Sequence, residues 1–144
     1  MPTLLLTHTP EALANYYGDR AVAGLRALAE VRFNPLGREL GTRDLVEAAR
    51  GCEVIVSYRQ TAGEAALFRS LPDLVAFSRC AIDIRNVDVA AASEEGILVT
   101  QASAGFVPAV AEGTQVLLRL PSTAEIAARW SRVWPFTRVK LPPK

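Results

Sequence analysis

Short β-favouring runs alternate with amphipathic stretches along most of the chain. Thr3–Thr7 follows Pro2 as an uninterrupted apolar and β-branched run and predicts a buried first strand. Thr9-Pro10 then punctuates, with Thr9 placed to cap a helix and Pro10 at its first position. Ala21, Leu25, Leu28 and Ala29 fall on one helical stripe, and Val31–Phe33 reads as a second strand closed by Asn34-Pro35-Leu36-Gly37. Thr42 opens another helix with Leu45, Val46, Ala48 and Ala49 on its inner face and Gly51 suited to its C′ position. Val54-Ile55-Val56 predicts a strand buried on both faces. A helix over Gly63–Ser70, a strand over Leu74–Phe77, a helix over Val87–Glu95 stopped by Gly96, and a strand over Ile97–Thr100 complete the series.

This alternation predicts an α/β fold around a five-stranded parallel sheet with right-handed crossovers. Ligands in such sheets bind beyond the carboxyl ends of the strands, near a reversal of strand order. The candidate loops are therefore Thr7–Thr9, Ser57–Thr61, Ser78–Asn86 and Gln101–Gly105. Past Gly105 the pattern changes. Val107–Leu120 reads as an apolar helix interrupted by Pro108 and Gly113, and Ser122–Arg132 as another, with Ser122 and Glu125 forming a capping box. The expected division is an α/β domain over 1–106 and a C-terminal helical or irregular tail over 107–144.

Composition narrows the class. At 144 residues, 50% hydrophobic, 22% charged and net +1, the chain has room for one cored domain and is too apolar to be disordered. No apolar run reaches the roughly 18 residues of a membrane span, and Leu4–Leu6 is too short for a signal-peptide core, so the expectation is a soluble cytoplasmic protein without a membrane partner. Charge is uneven: residues 1–118 carry ten Arg against fourteen Asp and Glu, whereas residues 119–144 carry six Lys and Arg against Glu125 alone. The basic tail reads as a solvated terminus, since it holds no nucleic-acid-binding motif.

The chemistry is bounded by what is missing. None of the nine glycines stands two residues from another, so there is no G-x-G-x-x-G, and none stands five apart, so there is no P-loop. His8 is the sole histidine, which excludes a two-histidine metal site and leaves a hydrogen-bonded structural role as the reading for that side chain. Cys52 reads as core. Cys80, flanked by Arg79, reads either as a buried structural thiol or as one activated by nearby arginine. The densest polar cluster is Ser78-Arg79-Cys80-Ala81-Ile82-Asp83-Ile84-Arg85-Asn86. Its backbone N–H groups, with Arg79 or Arg85 as a bidentate clamp, suit a carboxylate. The competing reading is an ion-pair network among Asp83, Arg85 and Asp88. Arg59, in the loop Tyr58-Arg59-Gln60-Thr61, reads as a clamp or as an exposed side chain.

Three runs carry a resemblance: Leu71-Pro72-Asp73-Leu74-Val75-Ala76-Phe77-Ser78-Arg79, Arg85-Asn86-Val87-Asp88-Val89-Ala90-Ala91-Ala92, and Glu95-Gly96-Ile97-Leu98-Val99-Thr100, with Val110-Ala111-Glu112 beyond them. They resemble the N-terminal substrate domain of the D-isomer-specific 2-hydroxyacid dehydrogenases, the phosphoglycerate and glycerate dehydrogenase group, over about residues 1–118. The resemblance implies a flavodoxin-like three-layer domain whose partner, in complete enzymes, is a Rossmann domain carrying NAD or NADP. It implies substrate contact at Arg79, Cys80, Ala81 and Ile82, then Arg59 and Gln60, with Arg85 beside them. It also implies that the catalytic Arg, acid and His, like the cofactor, belong to the other domain, so that no catalytic, cofactor or metal residue is assigned here. Two departures stand out: the usual Gly-Val-Gly reads Ala81-Ile82-Asp83, and the Asp before Asn86 is replaced by Arg85.

The expected function is thus the substrate half of an oxidoreductase acting on a small 2-hydroxy or 2-oxo acid, without activity alone. The alternative is a non-enzymatic module binding a small carboxylate or a partner. A receiver-like signalling domain is disfavoured, because the first strand ends in Thr7-His8-Thr9 rather than an acidic cluster. Apolar residues of the tail, Trp130, Trp134 and Phe136 among them, point to a homodimer with exchanged C-terminal segments.

Overall fold

Five short strands with β-branched and leucine-rich centres form one sheet, with every described pairing parallel: β1 Thr3–Leu6, β2 Glu30–Phe33, β3 Val54–Ser57, β4 Ala76–Arg79 and β5 Leu98–Gln101. The computed structural model describes residues 1–106, and the first compact unit runs Met1–Ser103. Strand order is β2-β1-β3-β4-β5. The chain therefore leaves β1 for β2 on one side and returns to β3 on the other, which places the reversal of strand order between β1 and β3. The helices are α1 Pro10–Tyr16, α2 Asp19–Leu28, α3 Thr42–Ala48, α4 Ala65–Ser70 and α5 Val89–Glu94. The fold is the flavodoxin-like α/β architecture expected. The two tail helices expected past Gly105 lie outside the described residues.

Strand alternation sorts the core into two layers. Leu5, Ile55 and Phe77 face α3, α4 and α5, whose Leu45, Leu67, Phe68, Ala91 and Ala92 close the larger core. Leu4 and Leu6, with the half-buried Val54 and Val56, face α1 and α2 through Leu13, Tyr17 and Leu25. The β3 triplet is thus less symmetric than its sequence implies: Ile55 is fully buried while Val54 and Val56 are half-buried.

Local chemistry sets the boundaries. Thr9 caps α1, its hydroxyl accepting the Ala12 N–H at 3.2 Å with Pro10 at the first position. Asp88 caps α5 in the same way, accepting the Ala91 N–H at 3.0 Å. Gly51 adopts a left-handed φ of 69°, two residues past the cap of α3 rather than one. Three expectations shift. The chain between β1 and β2 is two helices, broken at Tyr17-Gly18. Of the stripe Ala21, Leu25, Leu28 and Ala29, Leu25 and Ala29 turn inward as expected, whereas Ala21 and Leu28 face solvent, Leu28 73% exposed, and Val22 joins the inner face in their place. Finally, Gly63 and Val87 are not helical. They form an isolated parallel bridge between the loops that follow β3 and β4.

Candidate functional site

Arg79 is the last residue of β4, and its alternation points it to the same face as Phe77. There it is 4% exposed. Its Nε donates to the Asp83 carbonyl at 3.2 Å, and one terminal nitrogen donates to the carbonyls of Tyr58 at 2.8 Å and Thr61 at 2.7 Å. The other donates to the Arg59 carbonyl and to Asn86 Oδ1, the latter at 2.7 Å. All five N–H donors of the guanidinium are thereby used. The side-chain clamp that the sequence raised is not available at Arg79. The residue instead fastens the loop Tyr58–Thr61 to the loop Cys80–Asn86. Burial lowers its pKa, opposed by Asp83 and Cys80, and among the described residues its charge enters no ion pair.

The bridge reinforces this fastening. Gly63 N–H donates to the Asn86 carbonyl at 2.9 Å, and Asp88 N–H to the Gly63 carbonyl at 2.7 Å. A Cβ at Gly63 would stand 3.0 Å from Phe68 Cζ and from Val87 Cγ1, so a larger residue would require these side chains to shift. Thr7 at the end of β1 joins the same set: its hydroxyl accepts the Tyr58 N–H at 2.8 Å and shares a 2.7 Å hydrogen bond with the Thr61 hydroxyl.

Asp83 and Arg85 neutralise each other at the surface. Arg85 donates from Nε and a terminal nitrogen to both carboxylate oxygens, at 2.6 to 3.1 Å. This contact holds the Asp83 carboxyl well below the usual carboxylate range. Asp88 stays out of that pair, being spent on the α5 cap. Between Cys80 and Arg85 the backbone is open: among the described residues none accepts a hydrogen bond from the N–H groups of Ala81, Ile82 or Asp83. Arg59 and Gln60 are exposed on the facing loop.

The other side of the strand ends is aromatic. His8, directly after Thr7, is 2% exposed and lies against the rings of Tyr17 at 4.9 Å and Tyr58 at 5.0 Å. Tyr16 continues the group, 6.2 Å from Tyr58. Burial pushes the His8 pKa down to about 4. Its Nδ1 has no hydrogen-bond partner among the described residues, which departs from the hydrogen-bonded role expected of it. Cys80 is exposed rather than buried, and its Sγ meets the Tyr17 hydroxyl at 3.5 Å. Cys52 is in the core as expected. Thr7, Thr61 and Asn86 lie in the loops the sequence singled out, whereas Tyr16 and Tyr17 lie in none of them. The available signal was that the three tyrosines fall only after β1 and β3, the two strands flanking the reversal.

The turn from β1 into α1 does not fit a dinucleotide. It runs Thr7-His8-Thr9-Pro10 without the glycines that let a backbone approach a pyrophosphate closely, and His8 within it is buried. Among the described residues no group of three or more His, Cys, Asp and Glu side chains comes together. No described helix is long and apolar enough to cross a membrane.

A five-stranded parallel sheet in the order β2-β1-β3-β4-β5 with helices packed on it is a flavodoxin-like α/β domain. The chain belongs to the D-isomer specific 2-hydroxyacid dehydrogenases, matching their catalytic domain over residues 5–133. Solved structures of similar fold include one assigned to the NAD-binding D-isomer specific 2-hydroxyacid dehydrogenases from Polaromonas sp. JS6 66, with TM-score 0.71 and 24% identity over 94% of this chain. The apo D-lactate dehydrogenase of Escherichia coli gives 0.65 and 20% over 95%, and a 2-hydroxyacid dehydrogenase of Ketogulonicigenium vulgare Y25 gives 0.62 and 22% over 99%. This chain spans only 41%, 42% and 42% of those three chains. No curated protein matches.

Proposed function

We propose that this chain is the carboxylate-binding half of an NAD(P)-dependent D-2-hydroxyacid dehydrogenase, cytoplasmic and working as a homodimer joined through its C-terminal segment. The observation that carries the reading is the open run of N–H groups at Ala81, Ile82 and Asp83, backed by a buried guanidinium. A carboxylate placed there accepts hydrogen bonds from a fixed backbone. Arg79 supplies positive potential from behind without itself touching the ligand, and Arg85 removes the repulsion that Asp83 would otherwise exert. Loss of the two family glycines is tolerable, because the loop geometry is held by Arg79 and the Gly63–Val87 bridge rather than by glycine flexibility.

The nicotinamide cofactor, which supplies hydride chemistry, belongs in this reading to a domain outside these residues. What the present residues do is bind and orient the acid. Binding alone leaves the barrier to hydride transfer unchanged, so turnover in this reading requires the nicotinamide to be brought against the bound acid.

Calorimetric titration with pyruvate and with glyoxylate tests the reading. Saturable binding is expected, together with a loss of affinity in Ile82→Pro, which deletes one backbone donor. No binding of either acid, or a micromolar dissociation constant for NAD, would overturn it.

A further inference from the structure

The chain contains three tyrosines and one histidine, and the fold brings all four rings together. They come from separate places: His8 from the end of β1, Tyr16 and Tyr17 from the end of α1, and Tyr58 from the end of β3. Their centroids form an unbroken series, Tyr17 to His8 at 4.9 Å, His8 to Tyr58 at 5.0 Å and Tyr58 to Tyr16 at 6.2 Å. Packing alone does not require this, because Tyr16 is 65% exposed and buries little.

The series reaches the open N–H run. Tyr17 hydroxyl is 3.5 Å from Cys80 Sγ, and Cys80 immediately precedes Ala81, one Cα step of about 3.8 Å away. A small acid seated on the Ala81–Asp83 N–H groups therefore has its far end within reach of the tyrosines. The surface met there is nearly uncharged. Burial disfavours a charge on His8, Asp83 is tied to Arg85, and among the described residues the cation stacked over these rings is Arg59, whose guanidinium carbon lies 5.9 Å from the Tyr58 centroid.

Resting on the carboxylate reading above, we propose that this aromatic wall makes the site selective for 2-oxo and 2-hydroxy acids bearing an aryl side chain. Such a side chain gains edge-to-face and offset contacts with Tyr58 and Tyr16. A methyl group gains little area, and a second carboxylate faces the negative ring surfaces with only the solvent-exposed Arg59 to hold it.

Isothermal titration of the full chain with phenylpyruvate, pyruvate and oxaloacetate tests this. Phenylpyruvate is expected to bind about threefold to tenfold tighter than pyruvate, the range that one aromatic contact supplies. Tyr58→Leu should remove that preference. Tyr16→Ala, at an exposed position whose loss leaves the core intact, should weaken phenylpyruvate alone. Equal affinity for phenylpyruvate and pyruvate, tighter binding of oxaloacetate, or a preference that survives both variants overturns the aryl selectivity and leaves the carboxylate reading standing. Failure of all three acids to bind overturns the carboxylate reading, and the selectivity with it.

Discussion

The two sides of the strand ends solve different problems with different residues. On the side shared with α3, α4 and α5, Thr7, Thr61, Arg79 and Asn86 hydrogen-bond to one another and to the loop carbonyls, and the guanidinium has no donor left for a ligand. On the side shared with α1, His8, Tyr17, Tyr58 and Cys80 touch one another while leaving a buried nitrogen unpaired and a thiol exposed. The first side is a scaffold that sets loop geometry, and the second is a surface that chooses what sits against it. Residue type alone does not tell them apart: an arginine is the scaffold's centre, and a histidine lines the chooser.

The strongest way to break this contrast is Arg79→Met. It strands four backbone carbonyls and Asn86 in a buried setting, and the expected loss of stability is on the order of 3–5 kcal/mol in urea denaturation. Arg79→Lys should recover little of it, since one ammonium cannot reproduce the planar fork. A loss below about 1 kcal/mol would show that the guanidinium bonds are not what holds the loops.

The next effect belongs to the aromatic side and depends on pH. The unfolded chain protonates histidine near pH 6.5, the folded chain only near pH 4. Stability is therefore full above pH 6.5 and falls as pH drops towards 4, by about 3 kcal/mol at most. His8→Phe, which keeps a ring between Tyr17 and Tyr58, should flatten that portion of the stability profile. An unchanged slope in the variant would assign the acid sensitivity to other groups.

The smallest effect is at Arg85. Its side chain is 91% exposed, so Arg85→Ala should leave the melting temperature unchanged within error. It should, however, weaken binding of pyruvate by exposing Asp83 to the carboxylate. Loss of stability without loss of affinity would make the pair part of the scaffold instead.

How much of this was legible in the sequence follows the range of the interactions. Strand positions, the cap at Thr9 and the start of α3 at Thr42 depend on near neighbours, and they were readable to within a residue or two. The α2 stripe was right at Leu25 and Ala29 and wrong at Leu28, because Val22 and Leu28 are equally apolar and only the tertiary fold decides which faces inward. At the site, the loop Ala81–Asp83 could be singled out from its place after a strand. Which arginine would be buried could not, since Arg79 and Arg85 are both arginines in one short polar run. What separates them is a set of carbonyls contributed by residues 58–61, some twenty positions away in the chain. The clustering of Tyr16, Tyr17 and Tyr58 needed the strand order β1-β3, which no local pattern encodes.

The Gly63–Val87 bridge has an evolutionary consequence. Two loops that share a hydrogen-bonded rung and one arginine cannot change length independently, because an inserted residue in either would pull the rung out of register. Homologues built on this plan should diversify the site by exchanging side chains at positions 16, 17, 58 and 80 while the spacing from residue 57 to residue 88 stays constant.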